Sequence, residues 1–139
     1  MVKISVSMGE KNDLTKNKKI MIAEQHRAYQ KWLMELNFYE DEMIIFQKEL
    51  DLLVDQHPEL LSILEHVEEY QRIFKKKKEQ LKTLQDLIMT EEQLLSPAST
   101  EGEDLQSAFE KIQQQHTAFV KKLEKLKKNF KRFVAKNMF

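Results

Sequence analysis

Between Ile22 and His57 large apolar side chains return in steps of three and four: Ile22, Gln25, Tyr29, Trp32, Leu36, Tyr39, Met43, Phe46, Leu50, Leu53 and His57. Such unbroken a/d heptads predict a long helix that gives one seam to other helices. The helix is expected to begin between Leu14 and Lys18 and to run to about Gln56. Pro58 then interrupts it. A proline disfavours helix for the residue before it and is tolerated at a helix's first position, so Pro58 reads as the start of a second helix after a tight reversal. The heptad phase also carries across the proline (Leu53, His57, Leu60, Leu64, Val67), which leaves a kinked continuous helix as the alternative.

The second helix is expected over about 58–95. One of its rows is apolar throughout (Leu60, Val67, Phe74, Leu81, Ile88, Leu95). The companion row is mixed (Ile63, Tyr70, Lys77, Leu84, Glu91), with Leu64, Ile73, Leu87 and Leu94 beside it. Ser96-Pro97-Ala98-Ser99-Thr100 reads as a loop, and Thr100 with Glu103 has the spacing of a capping box. A third helix over about 101–137 carries Leu105, Phe109, Ile112, His116, Phe119, Leu123, Leu126, Phe130 and Phe133 on its core side. Residues 1–17 are expected to form an N-terminal tail, in which Val2, Ile4, Val6 and Met8 alternate with polar residues.

Short links between long helices favour antiparallel neighbours. The expected fold is therefore all-α, an antiparallel up-down-up three-helix bundle of coiled-coil-like helices forming one domain over 18–137. With a first reversal centred near His57, Glu40, Asp41 and Glu42 fall level with Lys75–Lys78. A second centred near Ser99 sets Glu65, Glu68 and Glu69 level with Lys128, Lys131 and Arg132.

The segments Leu36-Asn37-Phe38-Tyr39-Glu40-Asp41-Glu42, Val67-Glu68-Glu69-Tyr70-Gln71 and Phe130-Lys131-Arg132-Phe133-Val134-Ala135-Lys136 resemble small uncharacterised helical proteins of Bacteroidetes. The resemblance covers 36–137 in outline. It implies the helical fold and a bacterial origin, and no activity.

Composition narrows the chemistry. In 139 residues there are two glycines, two prolines and no cysteine, which removes disulfides, thiol nucleophiles and thiolate metal sites. Lys+Arg and Asp+Glu both number 23, so no global charge draws the chain toward nucleic acid or lipid. No window approaches the ~20 apolar residues of a membrane span, and a cytoplasmic protein is the expectation. Neither Gly9 nor Gly102 belongs to a phosphate-binding loop. Serines and threonines gather at helix ends, where capping accounts for them. A metal-binding bundle is one possible reading, but Glu-x-x-His and His-x-x-x-His are both missing. The expected levels of the histidines also differ: His26 by Glu91, His116 by Glu35 and Gln80, His66 by Leu50 and Arg132. His116 then reads as a core polar residue. Neither a cofactor nor an enzymatic activity is expected.

Two surfaces stand out. Lys121, Lys122, Lys125, Lys128, Lys131 and Arg132 make the end of the third helix basic, which suits phosphate contacts in a nucleic-acid-binding accessory protein, although acids of the second helix compete for them. Met34, Phe38, Ile45 and Leu52 line up within ~40° of one another and ~150° from the seam of the first helix. A three-helix bundle leaves that direction open. The stripe predicts an interaction or scaffold module that meets a protein partner or a second copy of itself, unless the N-terminal tail folds back over it.

Overall fold

A computed structural model describes the backbone of residues 2–95 and 102–138, and the side chains of 16–95 and 104–138. Among the described residues the chain is all-helical, with α1 over Val2–Gln56, α2 over Leu61–Gln93 and α3 over Gly102–Asn137. No described helix is long and apolar enough to cross a membrane. The loop expected at Ser96–Thr100 and the cap formed by Thr100 and Glu103 lie outside the described residues.

α1 begins at Val2, well before the expected start between Leu14 and Lys18. The segment read as a tail is helical. Extending a helix that already exists avoids the nucleation step, and residues 2–17 hold no proline and a single glycine costing about 1 kcal/mol. The alternation of Val2, Ile4, Val6 and Met8 therefore has no extended structure behind it. A rod continuous from Val2 to Gln56 also takes its first residues away along its own axis, so they do not double back over Phe38 or Ile45.

Between α1 and α2, His57 N–H donates to Leu53 O (3.0 Å) and Leu60 N–H to His57 O (3.4 Å). Pro58 and Glu59 are the central residues of this turn, and Pro58 is not the first helical residue expected from sequence. Its fixed φ serves the second position of a turn as well as it serves a helix start. Leu60 then caps α2, its carbonyl accepting from Ile63 and Leu64 N–H at 3.1 and 3.0 Å. The chain breaks here, which removes the kinked continuous helix.

Cross-helix pairs fix the alignment. Between α1 and α2 they are Gln30–Glu92, Asn37–Gln85 and Phe46–Phe74. Between α1 and α3 they are Gln25–Gln106, Glu35–His116, Glu42–Lys127 and His57–Asn137. Asn37 meets Gln85, beyond the Lys77 that a centre on His57 gives, because the turn itself takes up Pro58–Leu60. The expected charge levels accordingly close no ion pairs among the described residues: Glu42 pairs with Lys127 of α3, and Glu40 accepts from Gln85 Nε2 at 3.1 Å.

The core follows the seams. Gln25, Tyr29, Trp32, Leu36, Met43, Phe46, Leu50 and Leu53 of α1 are buried, with Tyr39 half-buried in the same row. They meet Ile63, Val67, Phe74, Leu81, Leu84 and Ile88 of α2, and Ile112, Phe119, Leu123 and Phe130 of α3. Leu60 and Leu94, expected inside, are 51% and 46% exposed because each sits at a helix end where its row leaves the bundle. Phe46, Tyr70, Phe74, Phe130 and Phe133 form one aromatic cluster, with neighbouring ring centroids 5.0–6.1 Å apart. Tyr29, Trp32, Phe109 and His116 form another. Edge-on and offset contacts of this kind add roughly 0.5–1.5 kcal/mol per pair beyond area burial.

Candidate functional site

The outer stripe of α1 is open. Met34, Phe38, Ile45 and Leu52 are 72, 59, 53 and 50% exposed, and Ile20 at 50% lies on the same line two heptads and four residues before Phe38. Helical spacing compels this: with Trp32, Leu36, Met43 and Phe46 turned inward, the positions between them face out. Phe38 is the only stripe residue with a described ring contact. Its ring meets Tyr39 edge-on at 5.8 Å, and Lys127 Nζ lies 5.9 Å from its centroid.

Lys127 links α1 and α3 beside that ring. Its ammonium donates to Glu42 Oε1 at 2.7 Å and to Glu124 Oε1 at 3.4 Å, and lies 5.4 Å from the Tyr39 ring centre. Tyr39 O–H donates to Glu124 at 2.9 Å. Burial, then the hydrogen bond to Glu124, holds the Tyr39 phenol above its usual range, while that same bond holds the Glu124 carboxyl below its own. Sequence reasoning missed this network. The signal was Lys127's place four residues after Leu123 and three before Phe130, on the flank of the seam.

The basic residues of α3 divide by direction. Lys121, Lys125, Lys128 and Arg132 recur in steps of three and four along one outer stripe, with Lys122 and Lys131 to either side of it. All six are exposed, and none forms an ion pair among the described residues. The acids of α2 do not engage them.

The histidines stay apart. His26 Nδ1 is 3.8 Å from Glu92, His66 meets Glu69 at 3.9 Å and the edge of Phe133, and His57 Nε2–H donates to Asn137 O at 2.8 Å. His116 is buried against Trp32, with Nε2 3.2 Å from Glu35 but off the line of a good hydrogen bond. Among the described residues no three His, Asp or Glu side chains come together as metal ligands.

A groove of about 520 Å3 opens between α2 and α3 beside Lys76, Lys77, Leu84, Phe119 and Lys122. Lys77 sits in the mixed row of α2, at a position its neighbours in that row fill with Tyr70 and Leu84. Burial first, then Lys122 and Lys76, pushes its amine below the usual lysine range. Set against protein-family models, curated proteins and solved structures, the chain gives no match.

Proposed function

We propose that this chain is a non-enzymatic interaction or scaffold module, folded as an antiparallel up-down-up bundle of coiled-coil-like helices, that self-associates through the outer stripe of α1. The observation that carries the reading is the exposure of Met34, Phe38, Ile45 and Leu52 along one continuous ridge. Contiguous exposed apolar surface marks interaction sites, and a single patch serves both subunits about a two-fold axis. The charges flanking the ridge favour a second copy running in the opposite sense. With the axis near Met43, Met34 falls opposite Leu52 and Lys31 opposite Asp55. These two charged residues are exposed and form no ion pair within the chain among the described residues. Complementary charges of this kind set orientation more than affinity.

Sedimentation of wild type, Ile45→Glu, and the reversal pair Lys31→Glu and Asp55→Lys tests it. Wild type should associate, Ile45→Glu should be monomeric with its helix content intact, and each single reversal should weaken association that the double reversal restores. Wild type sedimenting as a monomer at high concentration would overturn self-association.

A second reading, nucleic-acid binding, is favoured by one observation: the outer stripe of Lys121, Lys125, Lys128 and Arg132 is not neutralised by α2. Gel shifts of a short DNA duplex and an RNA oligomer across a salt series test it. Retention that falls steeply with salt, and is lost on Lys→Gln changes along the stripe, would support this reading.

A further inference from the structure

We propose that the groove between α2 and α3 is a binding site for a small organic anion with a flat apolar body, such as a carboxylate or phosphate ester carried on an aromatic ring. Three lysines line it from two helices, Lys76 and Lys77 from α2 and Lys122 from α3, above the buried apolar side chains of Leu84 and Phe119. The volume of about 520 Å3 lies within the range of small-molecule clefts.

The charges of the groove are unbalanced in a particular way. Glu79 is the one acid lining it, yet no ion pair joins it to any of the three lysines among the described residues. Lys77 instead donates to Gln80 Oε1 at 3.3 Å, with its ammonium 5.9 Å from the Phe119 ring centre. A lysine occupying a seam row, partly desolvated and set near two like charges, is unfavourable for the fold. An anion lying between Lys77 and Lys122 would offset both terms. The lining adds selectivity: an inorganic anion gains only the charges, whereas an aromatic anion also covers the exposed Ala118 and the methylene stems of Lys76 and Lys122. This site shares no residue with the α1 ridge, so either proposal can fail without the other.

The test is NMR titration of the 15N-labelled full chain with 1-naphthyl phosphate, inorganic phosphate and 1-naphthol. Saturable shifts are expected from 1-naphthyl phosphate, centred on 76–84 and 115–122, with the two half-probes weaker by about tenfold or more. Lys77→Met, which keeps an unbranched chain in the seam, and Lys122→Gln should each weaken binding by roughly five- to tenfold. Lys125→Gln, on the outer face, should not change it. If Lys77→Met fails to fold, the exposed Lys122→Gln still decides. Absent or non-saturating shifts, inorganic phosphate binding as well as the ester, or an equal loss in Lys125→Gln would overturn the site.

Discussion

His116 Nε2 lies 3.2 Å from a carboxylate oxygen of Glu35, while its imidazole stacks on Trp32 with ring centres 5.2 Å apart. The two neighbours act oppositely on its charge. Burial disfavours the imidazolium and Glu35 favours it; burial is the larger effect, Lys31 adds to it, and the pKa falls below the ordinary 6.5.

A pH dependence follows from that direction. Between 6.5 and the lower folded value, the unfolded chain binds a proton at His116 that the folded chain does not, so stability falls as pH falls through this window and its loss is complete below it. Urea midpoints should drop on going from about pH 7 to about pH 5, and His116→Gln should flatten that slope. A midpoint that rises on acidification would mean the Glu35 attraction outweighs burial.

Truncating Lys127 leaves Glu42 beside a half-buried seam without its cation. Lys127→Ala should cost about 1.5–3 kcal/mol, as loss of a hydrogen bond to a charged group does. Glu42→Gln in the Lys127→Ala background should recover part of that loss, because the orphaned charge goes with it. Additive losses in chemical denaturation would instead mean that the pair at 2.7 Å is energetically idle.

Trp32→Ala and Phe46→Ala remove large side chains that are 9% and 4% exposed at two levels of the bundle. Each should cost about 3–5 kcal/mol. A shift no larger than that of a surface mutation would mean that the seam has been set on the wrong face of α1.

Lys77→Met should raise the thermal midpoint, with a gain of about 0.5–2 kcal/mol, the usual range for relieving one unfavourable feature. The seam keeps its volume and loses a charge set near Lys122 and Lys76. A destabilised Lys77→Met would show that the Gln80 hydrogen bond and the Phe119 contact outweigh desolvation.

The seam of α1 was legible from residue spacing alone, since heptads of Tyr29, Trp32, Leu36, Met43 and Phe46 admit one inward face, and that choice also exposes Phe38 and Ile45. Where α1 starts and what Pro58 does were not. Both depend on small local preferences: Gly9 is tolerated in a growing helix, and a proline's fixed φ suits a turn and a helix start alike. The charge pairing was misread because acids and bases were matched by level, while Lys127 and Glu42 meet through direction around their helices. The α2–α3 groove was only half visible. Lys77 broke its row in plain sight, but nothing in the sequence set Lys122 and Phe119 beside it.

The polar contacts between seams have a consequence for how the chain finds its fold. Rows of leucine and phenylalanine repeat every seven residues, so two helices docked one heptad out of step, roughly 10 Å along the axis, bury nearly as much apolar surface as the native pair. Such slipped states are kinetic traps. In the native alignment Gln85 donates to Asn37 at 3.0 Å and to Glu40 at 3.1 Å, and Gln25 donates to Gln106 at 3.1 Å. After a one-heptad slip the buried amide of Gln85 meets Ile44 and Gln47, or Gln30 and Leu33, so an aliphatic side chain takes the place of one of its two acceptors. Each contact adds little to the depth of the native minimum. Together they raise the energy of its nearest imitations, and so widen the gap on which a single folded state depends.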